Sequence, residues 1–102
     1  FDLQCNPHQL IDFSSLLRHF PELKVVIDHA GSLRHLDQGN LAIDKEQLSV
    51  WRQGMYSMSL LPNCYVKLSM FSYSVPDWWK CPQKEQIAKN IFLETLNMFG
   101  SK

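Results

Sequence analysis

A handful of side chains in this sequence are of a type, and in a place, to do chemistry. His29 follows the β-branched run Val25-Val26-Ile27 and Asp28. Imidazole is the side chain best suited to proton transfer near neutral pH, but a histidine at a strand terminus, taken by itself, reads first as one that merely hydrogen-bonds there. Lys67 and Ser69 are next-but-one neighbours in a second apolar run, so strand alternation places them on one face. A lysine within a buried strand is costly unless it is paired or sits at a site. There it can hold a carboxylate or polarise a carbonyl; the alternative is a lysine snorkelling out of the sheet's end. Gln4 closes the stub Phe1-Asp2-Leu3 and either lines a pocket or is simply solvated. Arg34 and His35 lie in the segment after His29, where Arg34 either meets an anionic ligand or is ordinary loop charge. Asp28 precedes His29, so alternation turns it to the other side, toward a structural bond with a neighbouring helix end. Trp78-Trp79 either stacks on a sugar ring or packs onto the nearest helix, and His8 and His19 read as surface residues of a helix.

These residues need elements to position them, and the hydrophobic pattern supplies alternating strands and helices. Asn6-Pro7-His8-Gln9 reads as a helix start, with Asn6 as cap, Pro7 in the first turn and Gln9 reaching back. Leu10, Phe13, Leu17 and Phe20 then share one face, and Pro21 ends the helix. Leu23 to His29 reads as a strand buried on both faces, followed by a long polar loop from Ala30 to Ile43. Asp44 is the expected cap of a second helix with Gln47 completing its capping box, Leu48, Trp51, Met55 and Met58 facing inward, and Gly54 a mild weak point. Pro62-Asn63 breaks it before a strand over 64–68. An aromatic loop over 70–82 leads to a helix over 84–96, with Ile87, Ile91 and Leu96 inward and Lys89 and Glu94 outward. Asn97-Met98-Phe99-Gly100 reads as the beginning of a further strand. This order implies an α/β fold with parallel strands and right-handed crossovers, as one domain over 1–102.

Composition narrows the function classes. The 102 residues carry ten basic and ten acidic side chains, a formal net charge of zero, and no basic cluster, so no nucleic-acid partner is expected. The apolar runs fall short of the ~20 residues that span a bilayer, so no membrane partner is expected either. Cys5, Cys64 and Cys81 are odd in number and widely spaced, which fits free thiols in a reducing, cytoplasmic setting. The chain does not start with Met and opens directly on an apolar stretch, as a piece of a longer chain would.

The strand ends carry a resemblance. Val25-Val26-Ile27-Asp28-His29-Ala30-Gly31 resembles the Asp-His-x-Gly strand end of the amidohydrolase-related (amidohydrolase 2) family, which includes sugar-acid lactonases and pyrone-dicarboxylate lactonase. Trp51, Met55 and Pro62-Asn63-Cys64-Tyr65-Val66-Lys67-Leu68-Ser69 resemble its W…M…PN-x-x-x-K-x-S stretch. Phe1-Asp2-Leu3-Gln4 with Pro7-His8-Gln9-Leu10 is similar to the strand before the histidine strand, and Met98-Phe99-Gly100-Ser101 to the opening of the last one. Each piece is weak alone; four in order are fairly specific and cover nearly the whole chain.

The resemblance implies a partial (β/α)8 TIM barrel comprising strands 5 to 7 and the beginning of strand 8. It implies a hydrolase that opens a sugar-acid or related lactone by adding water to the carbonyl. His29 would then be catalytic, touching the substrate or, if the complete protein uses a divalent metal such as zinc, binding it. Gln4, Arg34, Lys67 and Ser69 would bind substrate. The departures count against activity of this chain alone: no H-x-H pair occurs, Lys102 stands where the family has a catalytic Asp, and Met70 replaces a common glycine. A barrel takes ~250 residues, so open sheet edges should drive assembly into a homodimer or higher homo-oligomer. Two other readings remain, a non-catalytic α/β binding or assembly module and a metal-dependent decarboxylase of a related barrel.

Overall fold

The computed structural model describes residues 1–100. Three short parallel strands, β1 (Asp2–Leu3), β2 (Val25–Ile27) and β3 (Cys64–Val66), lie in the order β1-β2-β3. Asp2 pairs with Val26 and Val26 with Tyr65; Leu3 pairs with Ile27 and Ile27 with Val66. Burial alternates across this register: Leu3, Val25, Ile27 and Cys64 are buried, Asp2 is exposed, and Val26 and Tyr65 are half-buried. Burial of β2 on both faces is therefore realised on one face only, because among the described residues the helices all pack into the core on the Val25–Ile27 side.

A 3-10 turn over Pro7–Gln9 leads into α1 (Leu10–Leu17), and Gln9 Oε1 accepts from the Asn6 N–H at 2.8 Å, as the capping pattern requires. The helix stops before Pro21 comes into play, and Phe20, expected on the inner face, is exposed. The next helix, α2 (Leu41–Ser59), starts earlier than its sequence signal. Asn40 caps it, its Oδ1 accepting from the Ile43 N–H at 3.1 Å. Asp44 and Gln47, read as a capping box, instead bind the preceding loop: Asp44 Oδ2 accepts from the Asp37 N–H, and Gln47 bonds both backbone groups of Arg34. Trp51, Met55 and Met58 fill the core as their spacing indicates. Gly54 is more than a weak point. A Cβ built there would stand 2.5 Å from Leu10 Cβ, so the glycine sets how closely α1 and α2 approach.

A short helix α3 (Phe71–Ser74) sits inside the aromatic loop, and α4 spans Pro82–Phe99. The strand expected at Asn97 is absent: Asn97, Met98 and Phe99 are the last residues of α4. Ile91, Thr95 and Phe99 recur every fourth residue and are buried, so helical periodicity continues to the C-cap Gly100, whose φ of 68° breaks it. Leu96, expected inward, lies on the outer side of this stripe and is exposed. Ser101 and Lys102, part of the last-strand resemblance, lie outside the described residues.

Candidate active site

The chain leaves β2 abruptly. His29 (φ 55°, ψ 41°), Ala30 (φ 49°) and Ser32 (φ 62°) adopt the left-handed conformation, as do His35 and Asp37 further along. Each such residue without a glycine's freedom costs on the order of 1 kcal/mol or more and persists only where its surroundings fix it. Here the fixings are specific. The buried Trp51 Nε1–H donates to Ala30 O at 2.7 Å, and the Ala30 N–H donates to Lys67 O at 2.9 Å. Gly31 (φ 84°) leaves no room for a Cβ between Met55 Sδ and Trp51 Nε1, at 2.9 and 3.0 Å. Strain of this kind concentrates at binding and catalytic sites.

The strained turn presents His29 to a cleft of about 80 Å3 lined by Gln4, His29, Ser32, Leu33, Arg34, Met70 and Tyr73. Gln4, His29 and Arg34, singled out from sequence, thus come together at the C-terminal end of the sheet. His29 Nδ1 and Ser69 Oγ are 2.9 Å apart, a hydrogen bond that fixes the ring and leaves Nε2 for a ligand. Arg34 is exposed, with its guanidinium 6.0 Å from the Tyr73 ring centroid and its backbone clamped by Gln47. His35 and Leu36 donate backbone N–H bonds to Tyr73 O and Ser74 O, and Lys84 Nζ bonds Asp37 at both its carbonyl and its carboxylate. The loop after His29 is a fixed wall held from three helices. A larger cleft of about 310 Å3 adjoins it through Ser32 and Arg34 but lacks His29, so chemistry favours the smaller one. The Ser32 hydroxyl, shared between the two, is buried without a hydrogen-bond partner.

Lys67 and Ser69 part company. β3 ends at Val66, so alternation no longer governs them: Ser69 goes to His29, and Lys67 Nζ lies 3.5 Å from Asp28 Oδ1. Asp28 therefore meets Lys67, not a helix end. Trp78 and Trp79 pack edge to face, and Trp78 lies with Ala88 and Phe92 against α4, away from His29. His8 and His19 are exposed. Tyr73 and Ser32 are residues of the cleft that the sequence did not single out. The aromatic density around Tyr73 was a usable signal; Ser32 owes its position to the left-handed turn, which leaves no pattern in the sequence.

Comparison with known families gives a match to the amidohydrolase family over residues 1–101. The chain belongs to the amidohydrolase family. No curated protein matches it. Among solved structures, an amidohydrolase from Burkholderia multivorans with bound zinc is similar at 24% identity with a TM-score of 0.72 over 97% of this chain and 33% of its own. A second structure of a Burkholderia multivorans amidohydrolase, with bound HEPES, is similar at 25% identity with a TM-score of 0.74, covering 97% and 34%. Amidohydrolase 2 from Bifidobacterium longum subsp. infantis follows the same fold at 23% identity with a TM-score of 0.63, covering 98% and 30%. The chain spans about a third of the length of these structures, and its parallel sheet and helices match a fragment of a TIM-barrel-type α/β fold.

Zinc in a structural neighbour raises the question of metal here. Among the described residues no three His, Cys, Asp or Glu side chains converge on one point. His29 Nε2 offers a single donor, so these residues do not by themselves fit a metal ion, which takes three or four protein ligands. Among the described residues no helix is long and apolar enough to cross a membrane.

Proposed function

We propose that this amidohydrolase chain contributes the histidine side of a lactone-opening active site. The observation that supports this is His29 itself, strained, hydrogen-bonded to Ser69 and facing a cleft with Gln4 and Arg34 at the C-terminal end of the central strand. Strand C-terminal ends are where barrel enzymes place their chemistry. Hydrolysis of a cyclic ester needs a group that removes a proton from water as its oxygen adds to the carbonyl, and a group that returns a proton to the ring oxygen as the C–O bond breaks. An imidazole with one nitrogen anchored and the other free can carry a proton in either step. Arg34, Gln4 and Lys67 supply a cation, an amide and a second cation to orient an oxygen-rich acid or lactone. With three strands and no metal cluster among the described residues, this piece is expected to be inactive alone and active within a full-length barrel that works in the cytoplasm, where its three cysteines suit reducing conditions.

The test is lactone hydrolysis by the full-length protein carrying this segment, assayed on a panel of sugar lactones beside simple esters. His29→Gln should lower turnover by about a hundredfold or more, the range for loss of a general acid or base. Unchanged turnover would remove His29 from the chemistry and the lactone reading with it.

A further inference from the structure

The loop after His29 runs between two core anchors. Leu33 and Leu36 are buried, whereas Arg34 and His35 between them are exposed. Left-handed residues flank Leu33-Arg34 at Ser32 and His35. Gln47, from the second turn of α2, holds this exposed stretch in place. Its Oε1 accepts from the Arg34 N–H at 2.7 Å, and its Nε2–H donates to Arg34 O at 2.9 Å. One carboxamide thus meets both backbone groups of one residue, as a neighbouring strand would. Among the described residues Arg34 has no backbone–backbone bond that could replace it. The pair of bonds needs a carboxamide: a glutamate has no hydrogen for Arg34 O, and an aliphatic residue bonds neither group. From this base the Arg34 guanidinium lies 6.0 Å from the Tyr73 ring centroid, and both residues line the His29 cleft. Tyr73 is tied to the same loop, its carbonyl accepting from the His35 N–H at 2.8 Å.

We propose that Gln47 is a positioning residue that keeps the Arg34 guanidinium over Tyr73, at the His29 cleft, where it meets an anionic group of the ligand. The proposal rests on the reading of Arg34 as a cation that orients the substrate, and it adds the reason an exposed arginine can do so. A free arginine side chain has large rotamer entropy, which a ligand must restrain on binding. Arg34 also borders the larger neighbouring cleft, which offers the guanidinium a second direction. Fixing its backbone and resting its side chain on an aromatic face remove much of that freedom before the ligand arrives. Gln47 lines only the larger cleft, so its effect on binding at His29 passes through Arg34.

The test is a titration of the chain, followed by NMR, with benzoate and its uncharged isostere benzamide. Benzoate should bind about fivefold tighter than benzamide, the upper end for an exposed ion pair, and shift the Arg34 side-chain signals. Arg34→Gln should abolish this preference. Gln47→Leu should remove most of it while leaving benzamide affinity unchanged, whereas a merely structural glutamine would affect both probes alike or neither. In the Arg34→Gln background, Gln47→Leu should have no further effect, the signature of one residue acting through the other. Thermal melting checks that the variants fold; should Gln47→Leu fail to fold, Gln47→Ala takes its place. A preference that survives the loss of Gln47, or a further loss in the Arg34→Gln background, overturns the proposal and leaves Arg34 as the cation. Equal binding of the two probes by the unaltered chain, or a preference that survives Arg34→Gln, overturns the proposal together with the reading of Arg34. Preference lost in both single variants, in a full-length protein that hydrolyses no lactone, upholds the proposal and overturns the hydrolase reading alone.

Discussion

At the scale of single residues, the His29–Ser69 bond is the contact on which the site turns. The hydroxyl fixes one ring nitrogen, so its removal should impair orientation and leave the imidazole itself in place. Ser69→Ala is expected to lower turnover of the full-length protein by up to about tenfold, the equivalent of one neutral hydrogen bond, with the larger loss reserved for His29→Gln. Cys5 gives a second residue-scale expectation. Burial pushes its thiol above the ordinary value. A thiol whose value is raised by folding favours the native state fully at low pH, and that contribution fades as pH rises past the unfolded thiol's value toward the raised one. Alkylation by iodoacetamide at about pH 8 should therefore be slower at Cys5 in the folded chain than in the chain unfolded by urea, since the thiolate is the reactive form. The positions of Gln4 and His29 were legible in the sequence because each follows a recognisable apolar run, and that of Arg34 because it lies in the loop that leaves the second of these runs. Asp28 was read as bonding a helix end; it meets Lys67 instead, since the two directly follow the paired residues Ile27 and Val66 of adjacent strands.

At the scale of elements, helix existence was more legible than helix boundaries. The inward stripe of α2 was read correctly from Trp51, Met55 and Met58, since periodicity records burial directly. Its start was not, because Asp44 and Gln47 have capping chemistry yet spend it on the loop over 32–40. The fourth strand was misread because Met98-Phe99 is apolar enough for either element, and only the buried spacing of Ile91, Thr95 and Phe99 shows the helix continuing. Two substitutions probe these elements. Gly54→Ala improves intrinsic helix propensity by about 1 kcal/mol, but its methyl would collide with Leu10. Overpacking outweighs propensity here, so urea denaturation should show a net loss of stability of about 1–2 kcal/mol. Lys84→Met removes the tie between α4 and Asp37. Hydrogen exchange should then quicken at the His35 and Leu36 amides with little change in the α1 amides; protection unaltered at both amides would show that the loop does not depend on that lysine.

At the scale of the whole molecule, the feature that matters is what the described residues leave uncovered. The sheet has two open edges, at β1 and β3, and its Val26–Tyr65 face carries no helical layer among the described residues. Exposed apolar side chains collect beyond the β1 side, where Phe1, Leu16, Phe20 and Leu23 surround a groove of about 190 Å3, and again on α4 at Phe92 and Leu93. Unpaired strand edges beside apolar surface favour association, because backbone hydrogen bonds and hydrophobic burial are both available to a partner. We expect copies of the isolated chain to pair, with a mass by light scattering at least twice the 11.9 kDa of one chain and falling on dilution. Leu16→Glu together with Phe20→Ser places polar groups in that groove and should shift the balance toward single chains without unfolding them, as both side chains are already exposed. An unaltered chain that stays a well-folded monomer at every concentration would show that these surfaces do not hold copies together, and the double variant would then have nothing to disrupt.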